Sequence, residues 1–218
     1  MKIKWYGHSA FCISTESGVR IIIDPYEAQA FGGAIAYGSI TDEADVVLTS
    51  HDHDDHNYTK DIKGKFVHIK EKGTYEEKGV KIRAIDSFHD ATGGEERGKN
   101  LIFLITADGI TIAHLGDLGH ILDGDAVQNI GKIDVLLVPV GGFYTIDAKE
   151  ATRVVKDLRP VLVIPMHFKT DRCGLPIGVV DEFIKDKKNV KKADASEMII
   201  TKVTLPAEVE IVVMNHAL

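Results

Sequence analysis

The sequence predicts a mixed α/β (α+β) fold in which helices cover sheets built from parallel and antiparallel strands, and three observations carry that expectation. The first half of the 218-residue chain is dense in short, β-branched apolar runs separated by turn residues. In the second half, two fully apolar runs flank a capped amphipathic segment, the pattern of a strand-helix-strand unit in a covered parallel sheet. Several runs end in His or Asp, and the carboxyl ends of strands are where α/β sheets hold ligands.

In chain order, 2–6, 10–14 and 19–23 read as a meander of strands with Glu16-Ser17-Gly18 as a turn. The apolar run 44–50 reads as a buried strand that delivers the next segment at its carboxyl end. Strands follow at 65–69, 80–86, 101–106 and 110–114, the last two joined by a hairpin turn at Ala107-Asp108-Gly109. Residues 134–138 and 161–165 have no polar alternation and read as interior strands. Between them 147–158 reads as a helix, with Asp147 and Glu150 as a capping pair and Pro160 just past its end. A second helix is expected at 177–187, and 197–203 with 208–213 reads as a closing hairpin.

Composition narrows the classes. A chain of this length with 44% hydrophobic residues can bury one substantial core, and no linker divides it, so 1–218 is read as a single domain. A net charge of -7 with dispersed acidic residues argues against nucleic acid or an anionic membrane as a partner. Cys12 and Cys173 stand far apart and outside any Cys-x-x-Cys pattern, which points to a reducing compartment. No signal-peptide core or membrane-length apolar run is present. The expectation is a cytoplasmic protein acting on a small molecule, with a homo-oligomer compatible with the sequence.

The most informative segment is His51-Asp52-His53-Asp54-Asp55-His56, three imidazoles and three carboxylates in six residues. That donor mixture suits zinc, iron or manganese rather than an all-oxygen calcium cage. In an extended loop, residues two apart point the same way, so His51 and His53 can hold one ion while Asp55 and His56 reach a second. One hexapeptide cannot complete two sites. Later strand ends offer the rest: His89 after 80–86, Asp117 after 110–114, and His167 after 161–165.

In that order, His51-x-His53-x-Asp55-His56, His89, Gly116-Asp117 and His167 resemble the metallo-β-lactamase superfamily over nearly the whole chain. The resemblance implies a four-layer αβ/βα sandwich with metals in the groove at the sheets' edges. It implies two divalent ions, zinc foremost with manganese or iron as alternatives. His51, His53 and His89 would hold the first ion, Asp55, His56 and His167 the second, and Asp117 would bridge them. More narrowly, Gly7-His8-Ser9, Ile23-Asp24-Pro25, His114-Leu115-Gly116-Asp117, Pro139-Val140-Gly141-Gly142-Phe143 and Pro165-Met166-His167-Phe168 are similar to the small metal-dependent hydrolases of this superfamily, the branch related to ascorbate-6-phosphate lactonase and to the phospholipase D that cleaves N-acylphosphatidylethanolamine. Members of that branch differ in what they cut.

His114 competes with His89 for the first ion. His89 is preferred because a residue from a separate strand end approaches from a third direction, and His114 is then read as orienting a ligand or protonating a leaving group. Asp24 is read as the acceptor that fixes a ligand histidine's tautomer, and His8 as a residue facing the pocket. Gly141 and Gly142, before a capped helix, suggest a close approach of phosphate to backbone amides. Lys169 and Arg172 are candidate contacts for an anionic substrate group, and the Gly- and Ala-rich loop 31–40 is a candidate lid.

The chemistry expected is hydrolysis of a small lactone, ester or phosphodiester by a hydroxide shared between two ions, with Asp55 ligating the second ion and holding the nucleophile in line. The interval from Asp117 to His167 and the tail after His167 are too short for the additional domains of RNA-cleaving members and of glyoxalase II. Two other classes are open: a mononuclear-iron, oxygen-using enzyme of the same superfamily, disfavoured by the complete second-site set, and a non-catalytic metal-binding regulator, whose site a fourth protein ligand would close.

Overall fold

The computed structural model describes residues Met1–Leu218. Along the chain the strands are β1 (Lys2–Gly7), β2 (Ala10–Ser14), β3 (Arg20–Ile23), β4 (Val46–Leu48), β5 (Val67–Ile69), β6 (Gly73–Glu77), β7 (Val80–Phe88), β8 (Lys99–Ala107), β9 (Ile110–His114), β10 (Val135–Pro139), β11 (Leu162–Met166), β12 (Val190–Lys192), β13 (Glu197–Ile199) and β14 (Glu210–Val213). They form two sheets: six strands in the order β13-β1-β2-β3-β4-β5, and eight in the order β12-β14-β11-β10-β9-β8-β7-β6. The expected mixed α/β architecture is what the chain adopts.

Strict alternation explains why the first sheet has two covered faces. Ile3, Trp5, Phe11, Ile13, Ile21, Ile23, Val46 and Leu48 point into the core between the sheets. Their neighbours Tyr6, Ala10, Cys12, Ile22 and Val47 point outward into a second apolar cluster with Tyr26, Ile35, Tyr37, Ile40 and Ile62. The outer layer here is irregular chain with a single distorted turn, α1 (Ala30–Gly33), where Phe31 and Gly32 have positive φ. Regular helices cover the other sheet: α2 (Gly124–Ile130), α3 (Ala148–Leu158) and α4 (Val180–Ile184).

The strand-helix-strand unit is present, with β10 and β11 parallel over five residue pairs. The Asp147 side chain accepts from the amides of Lys149 and Glu150, and the Glu150 carboxylate accepts from the Asp147 amide, completing the capping box. Helix α3 turns Ala151, Val154 and Leu158 inward, the i, i+3, i+7 spacing of a single buried stripe.

Three expectations are corrected. The closing hairpin does not form. β13 pairs with β1, Lys2 opposite Ile199, whereas β14 lies between β11 and β12 in the other sheet. Consecutive burial of Ile211, Val212 and Val213 demands an interior strand, while Glu197 and Ile199 are exposed as befits an edge. The helix at 177–187 shrinks to Val180–Ile184. Loop 31–40 is no lid: Ile35, Tyr37 and Ile40 are buried, Ile35 bridges to Cys173, and the Gly174 amide donates to the Ala34 carbonyl. Only Phe31 at its start reaches the groove. Helix α2 and strands β6 and β12 were not expected. Asp123 capping the amide of Ala126 and the positive φ of Gly131 mark the two ends of α2.

No helix is long and apolar enough to cross a membrane.

Candidate metal centre

The parallel relation of β3 to β4 and of β9, β10 and β11 aligns their carboxyl ends, and chemistry-bearing residues leave the fold from that edge. His51–His56 follow β4, His89 follows β7, Asp117 follows β9, and His167 follows β11. The turn after β1 adds His8, and the end of β3 adds Asp24. His8, Asp24 and His167 all have positive φ, between 45° and 52°. Left-handed backbone at three non-glycine residues costs about 1–3 kcal/mol each and clusters at functional sites.

Asp117 is the hub. Its Oδ2 lies 3.2 Å from His56 Nε2, 3.3 Å from His89 Nε2, 3.3 Å from His167 Nε2 and 4.0 Å from His51 Nε2. Two donor clusters flank it, His51 with His53 and His89, and Asp55 with His56, His167 and His8. His89, not His114, completes the first cluster. Their polar atoms are buried without satisfaction: His51 Nε2, His56 Nε2, Asp117 Oδ1, and the Nδ1 atoms of His89 and His167 have no hydrogen-bond partner. Buried polar groups are seldom left so. Ring nitrogens of four histidines converging on one carboxylate, with His51 Nε2, His56 Nε2 and Asp117 Oδ1 left without partners, fit transition-metal ions.

Tautomers follow from the partners. Asp24, fully buried, accepts from the Ser50 amide and hydroxyl, each at 2.7 Å, and from His56 Nδ1 at 3.0 Å. His56 therefore keeps a proton on Nδ1 and turns Nε2 inward. Ser50 Oγ, having given its proton to Asp24, accepts from His51 Nδ1 at 2.9 Å, which turns His51 Nε2 inward in the same way. One carboxylate thus orients two rings.

Electrostatics agree. Burial alone would raise the carboxyls of Asp117 and Asp24, but His167 and His56 beside Asp117, and His56 and His114 beside Asp24, hold both below their ordinary value. Burial opposes a charge on His56, yet Asp117 and Asp55 lift it well above the ordinary value, so in the metal-free chain His56 carries a second proton, on Nε2, which an incoming metal ion would displace. Burial, then the neighbouring His56, push His51 down to about 3. An uncharged His51 and an ionised Asp117 are the forms that bind metal.

His8 Nε2 donates to Asp55 Oδ2 at 3.0 Å. Burial, with His167 second, pushes His8 down to about 4. Below its unfolded value near 6.5 the unfolded chain binds a proton that the folded chain refuses until about pH 4. Its contribution to stability is therefore complete above pH 6.5 and lost as pH falls from 6.5 to 4. His56 acts in the opposite sense, stabilising the fold while protonated and losing that contribution as pH rises through its elevated folded value. In metal-stripped protein, His8→Asn is expected to reduce the acid-induced loss of unfolding free energy between pH 6.5 and 4 by up to about 3 kcal/mol. Denaturant titration across that range measures it, and an unchanged slope would refute a buried neutral His8.

The centre opens into a cleft of about 470 Å³. Asp52, His53, Asp54, Asp55, His89, Asp117 and His167 form its polar floor, and Phe31, Tyr144, Leu175 and Arg97 its walls. No serine or cysteine lines it.

Other sequence-based readings fail here. His114 has no role as proton donor or ligand: its Nε2 donates to the Ser9 carbonyl at 2.9 Å and its Nδ1 accepts from the Gly116 amide at 3.0 Å. It is a main-chain brace beneath the Asp117 turn. Gly141 and Gly142 do not cradle an anion, because their amides already donate to the carbonyls of His167 and Ile146. A Cβ at Gly141 would collide with the His167 carbonyl, so close packing beneath His167 requires that glycine. Lys169 is turned to the Leu175 carbonyl at 2.9 Å and lies outside the cleft. Arg172 does not line it either. Sequence reasoning missed Ser50, Asp90, Arg97 and Tyr144; the glycines at 93, 94 and 98, closing a loop right after His89, were the available signal.

A two-sheet sandwich with a His/Asp centre at one edge defines a metallo-hydrolase of the metallo-β-lactamase type. Residues 2–167 match the sequence profile of the family described as Beta-lactamase superfamily domain, and the chain belongs to that family. It is 31% identical over 196 residues to a UPF0173 metal-dependent hydrolase of Pyrobaculum arsenaticum, covering 78% of this chain and 85% of the relative. A UPF0173 metal-dependent hydrolase of Thermoplasma volcanium is 27% identical over 231 residues, covering 95% and 99%. Among solved structures, a proposed Zn-dependent hydrolase of the metallo-β-lactamase superfamily from Thermotoga maritima superposes with a TM-score of 0.82 at 38% identity, covering 98% of this chain and 97% of that one. The protein is a metal-dependent hydrolase of this superfamily.

Proposed function

We propose that the protein hydrolyses a small lactone, ester or phosphodiester with two divalent ions, zinc foremost, held on either side of Asp117. The observation that carries this reading is the convergence of His51, His53 and His89 on one side and Asp55, His56 and His167 on the other, with one Asp117 oxygen within 3.3 Å of three of their ring nitrogens. Bound there, the ions would supply Lewis acidity towards the scissile carbonyl or phosphoryl group and lower the pKa of water to near neutrality.

The chain's own residues do the rest. Asp24, directly and through Ser50, directs the Nε2 lone pairs of His56 and His51 into the centre. Asp55, kept ionised by His56 and His8 against the effect of burial, faces the cleft as ligand and as the acceptor that holds water in line. His8 fixes that carboxylate's orientation. Phe31, Tyr144 and Leu175 exclude solvent from one side of a bound substrate. Two buried, unpaired cysteines suit a reducing compartment, consistent with a cytoplasmic enzyme.

The test is to strip the protein with a chelator, reload it with zinc, manganese or iron(II), and assay bis(4-nitrophenyl) phosphate, 4-nitrophenyl acetate and γ-butyrolactone. Turnover of at least one substrate only after reloading is expected. Full metal occupancy with no hydrolysis of any of the three would overturn the reading.

A further inference from the structure

We infer that Arg97 is the specificity-determining residue of the cleft and that the substrate carries a carboxylate or phosphate group a few atoms from the bond that is cut; this rests on the hydrolytic reading above.

Four observations converge on that side chain. Arg97 is the single lysine or arginine lining the cleft, set against the carboxylates of Asp52, Asp54, Asp55 and Asp117. Two divalent ions would balance those four charges, leaving Arg97 as a permanent cation free to meet an anion. The guanidinium also makes no hydrogen bond: it forms only a loose 3.6 Å ion pair with the adjacent, exposed Glu96, and its carbon lies 6.0 Å from the centre of the Tyr144 ring. Five donors in a planar fork are therefore available for bidentate binding of a carboxylate or phosphate.

The backbone that presents Arg97 is fixed with unusual thoroughness for a loop. The buried Asp90 carboxylate accepts from the amides of Arg97 at 2.8 Å, Glu96 at 3.1 Å, Gly94 at 2.7 Å and Thr92 at 2.9 Å, and from the Thr92 hydroxyl at 2.9 Å. The Gly98 carbonyl then accepts from the His89 amide at 3.0 Å, so the loop is tied to a residue of the metal centre itself. A solvated turn has no need of a carboxylate with five donors; a binding group held at a set distance from the reacting atoms does.

Finally, Arg97 stands where the cleft meets a second cavity of about 510 Å³, to which Lys70 and Lys99 contribute. Lys72 there is already paired with Asp86 at 2.8 Å. Glu71 and Asp52 line that cavity as well, so its cationic excess rests on Arg97, which places a substrate's anionic end at that guanidinium and its apolar part against Tyr144 and Phe31.

Metal-loaded wild type, Arg97→Gln and Arg97→Lys distinguish the outcomes. The kinetic probes are a matched pair, neutral 4-nitrophenyl acetate and anionic 4-nitrophenyl hemiglutarate. The binding probes are glutarate and glycerol phosphate, followed by calorimetry. In Arg97→Gln, KM for the hemiglutarate and Kd for the preferred anion should rise about 10- to 100-fold. The kcat, the KM for the neutral ester, the metal content and the melting temperature should not change, and Arg97→Lys should recover part of the affinity. Whichever of glutarate and glycerol phosphate depends more on Arg97 identifies the anion. Affinity for both probes that is absent in the wild type, or unchanged in Arg97→Gln, would overturn the assignment even if esters are cleaved. Arg97-dependent binding without cleavage of any ester would instead uphold Arg97 while removing the hydrolytic reading.

Discussion

Asp117→Ala is expected to empty the centre, taking metal content from about two ions per chain to below one and kcat/KM down by about a thousandfold or more. The cause is charge as much as ligation. Asp117 Oδ2 is within 3.3 Å of His56, His89 and His167, and without it the second cluster keeps one carboxylate while the first keeps none. The effect should stay local. The Asp117 amide is held by Asn100 Oδ1 at 2.9 Å, and Gly116 takes a positive φ where a Cβ would strike Asn100 and Ser50, so the turn keeps its shape when the carboxylate is gone. Asp117→Asn, preserving volume but not charge, should lose nearly as much metal as Asp117→Ala. Elemental analysis and steady-state kinetics measure both, and wild-type metal content in the Ala variant would contradict the role given to this residue.

Asp24→Asn is expected to weaken metal binding by about 10- to 100-fold although Asp24 touches no ion. Its two oxygens accept three bonds, two from Ser50 and one from His56 Nδ1. An amide offers one oxygen and turns an NH₂ towards at least one of those donors, leaving a buried donor unsatisfied at a cost of about 1–3 kcal/mol. His56 then loses the acceptor that fixes its tautomer, and His51 loses the relay through Ser50. Chelator-competition titration should show the affinity loss, and denaturant unfolding of the metal-stripped variant should show the stability loss. Unchanged affinity would mean that His56 and His51 do not depend on Asp24 for their orientation.

Much of this site was legible in the sequence because its chemistry is local. His51 to His56 occupy one loop, and the remaining donors follow β-branched apolar runs whose carboxyl ends lie along one edge of the fold. The preference for His89 over His114 rested on chain geometry, a residue from a separate strand end approaching from a third direction, and His114 is instead bound to Ser9 and Gly116. What stayed hidden was non-local. Lys169 looked free because nothing in the sequence reveals that the Leu175 carbonyl curls back onto it. Gly141 and Gly142 looked like an anion loop because glycine requirement by close packing and by a ligand are indistinguishable until the His167 carbonyl is seen above Gly141. The false hairpin at the end of the chain has the same origin: β13 and β14 are close in sequence, but their partners, β1 and β11, lie in different sheets. Arg97 was overlooked because its significance depends on Asp90 folding a polar loop into a rigid one.

The central claim, a pair of ions held on either side of Asp117, is tested most directly by metal stoichiometry. Mass-spectrometric elemental analysis of the purified, reconstituted chain should find about two equivalents of zinc, or of manganese or iron, bound per chain. A single equivalent that does not increase on reconstitution, with His51, His53, Asp55, His56, His89, Asp117 and His167 all intact, would contradict it.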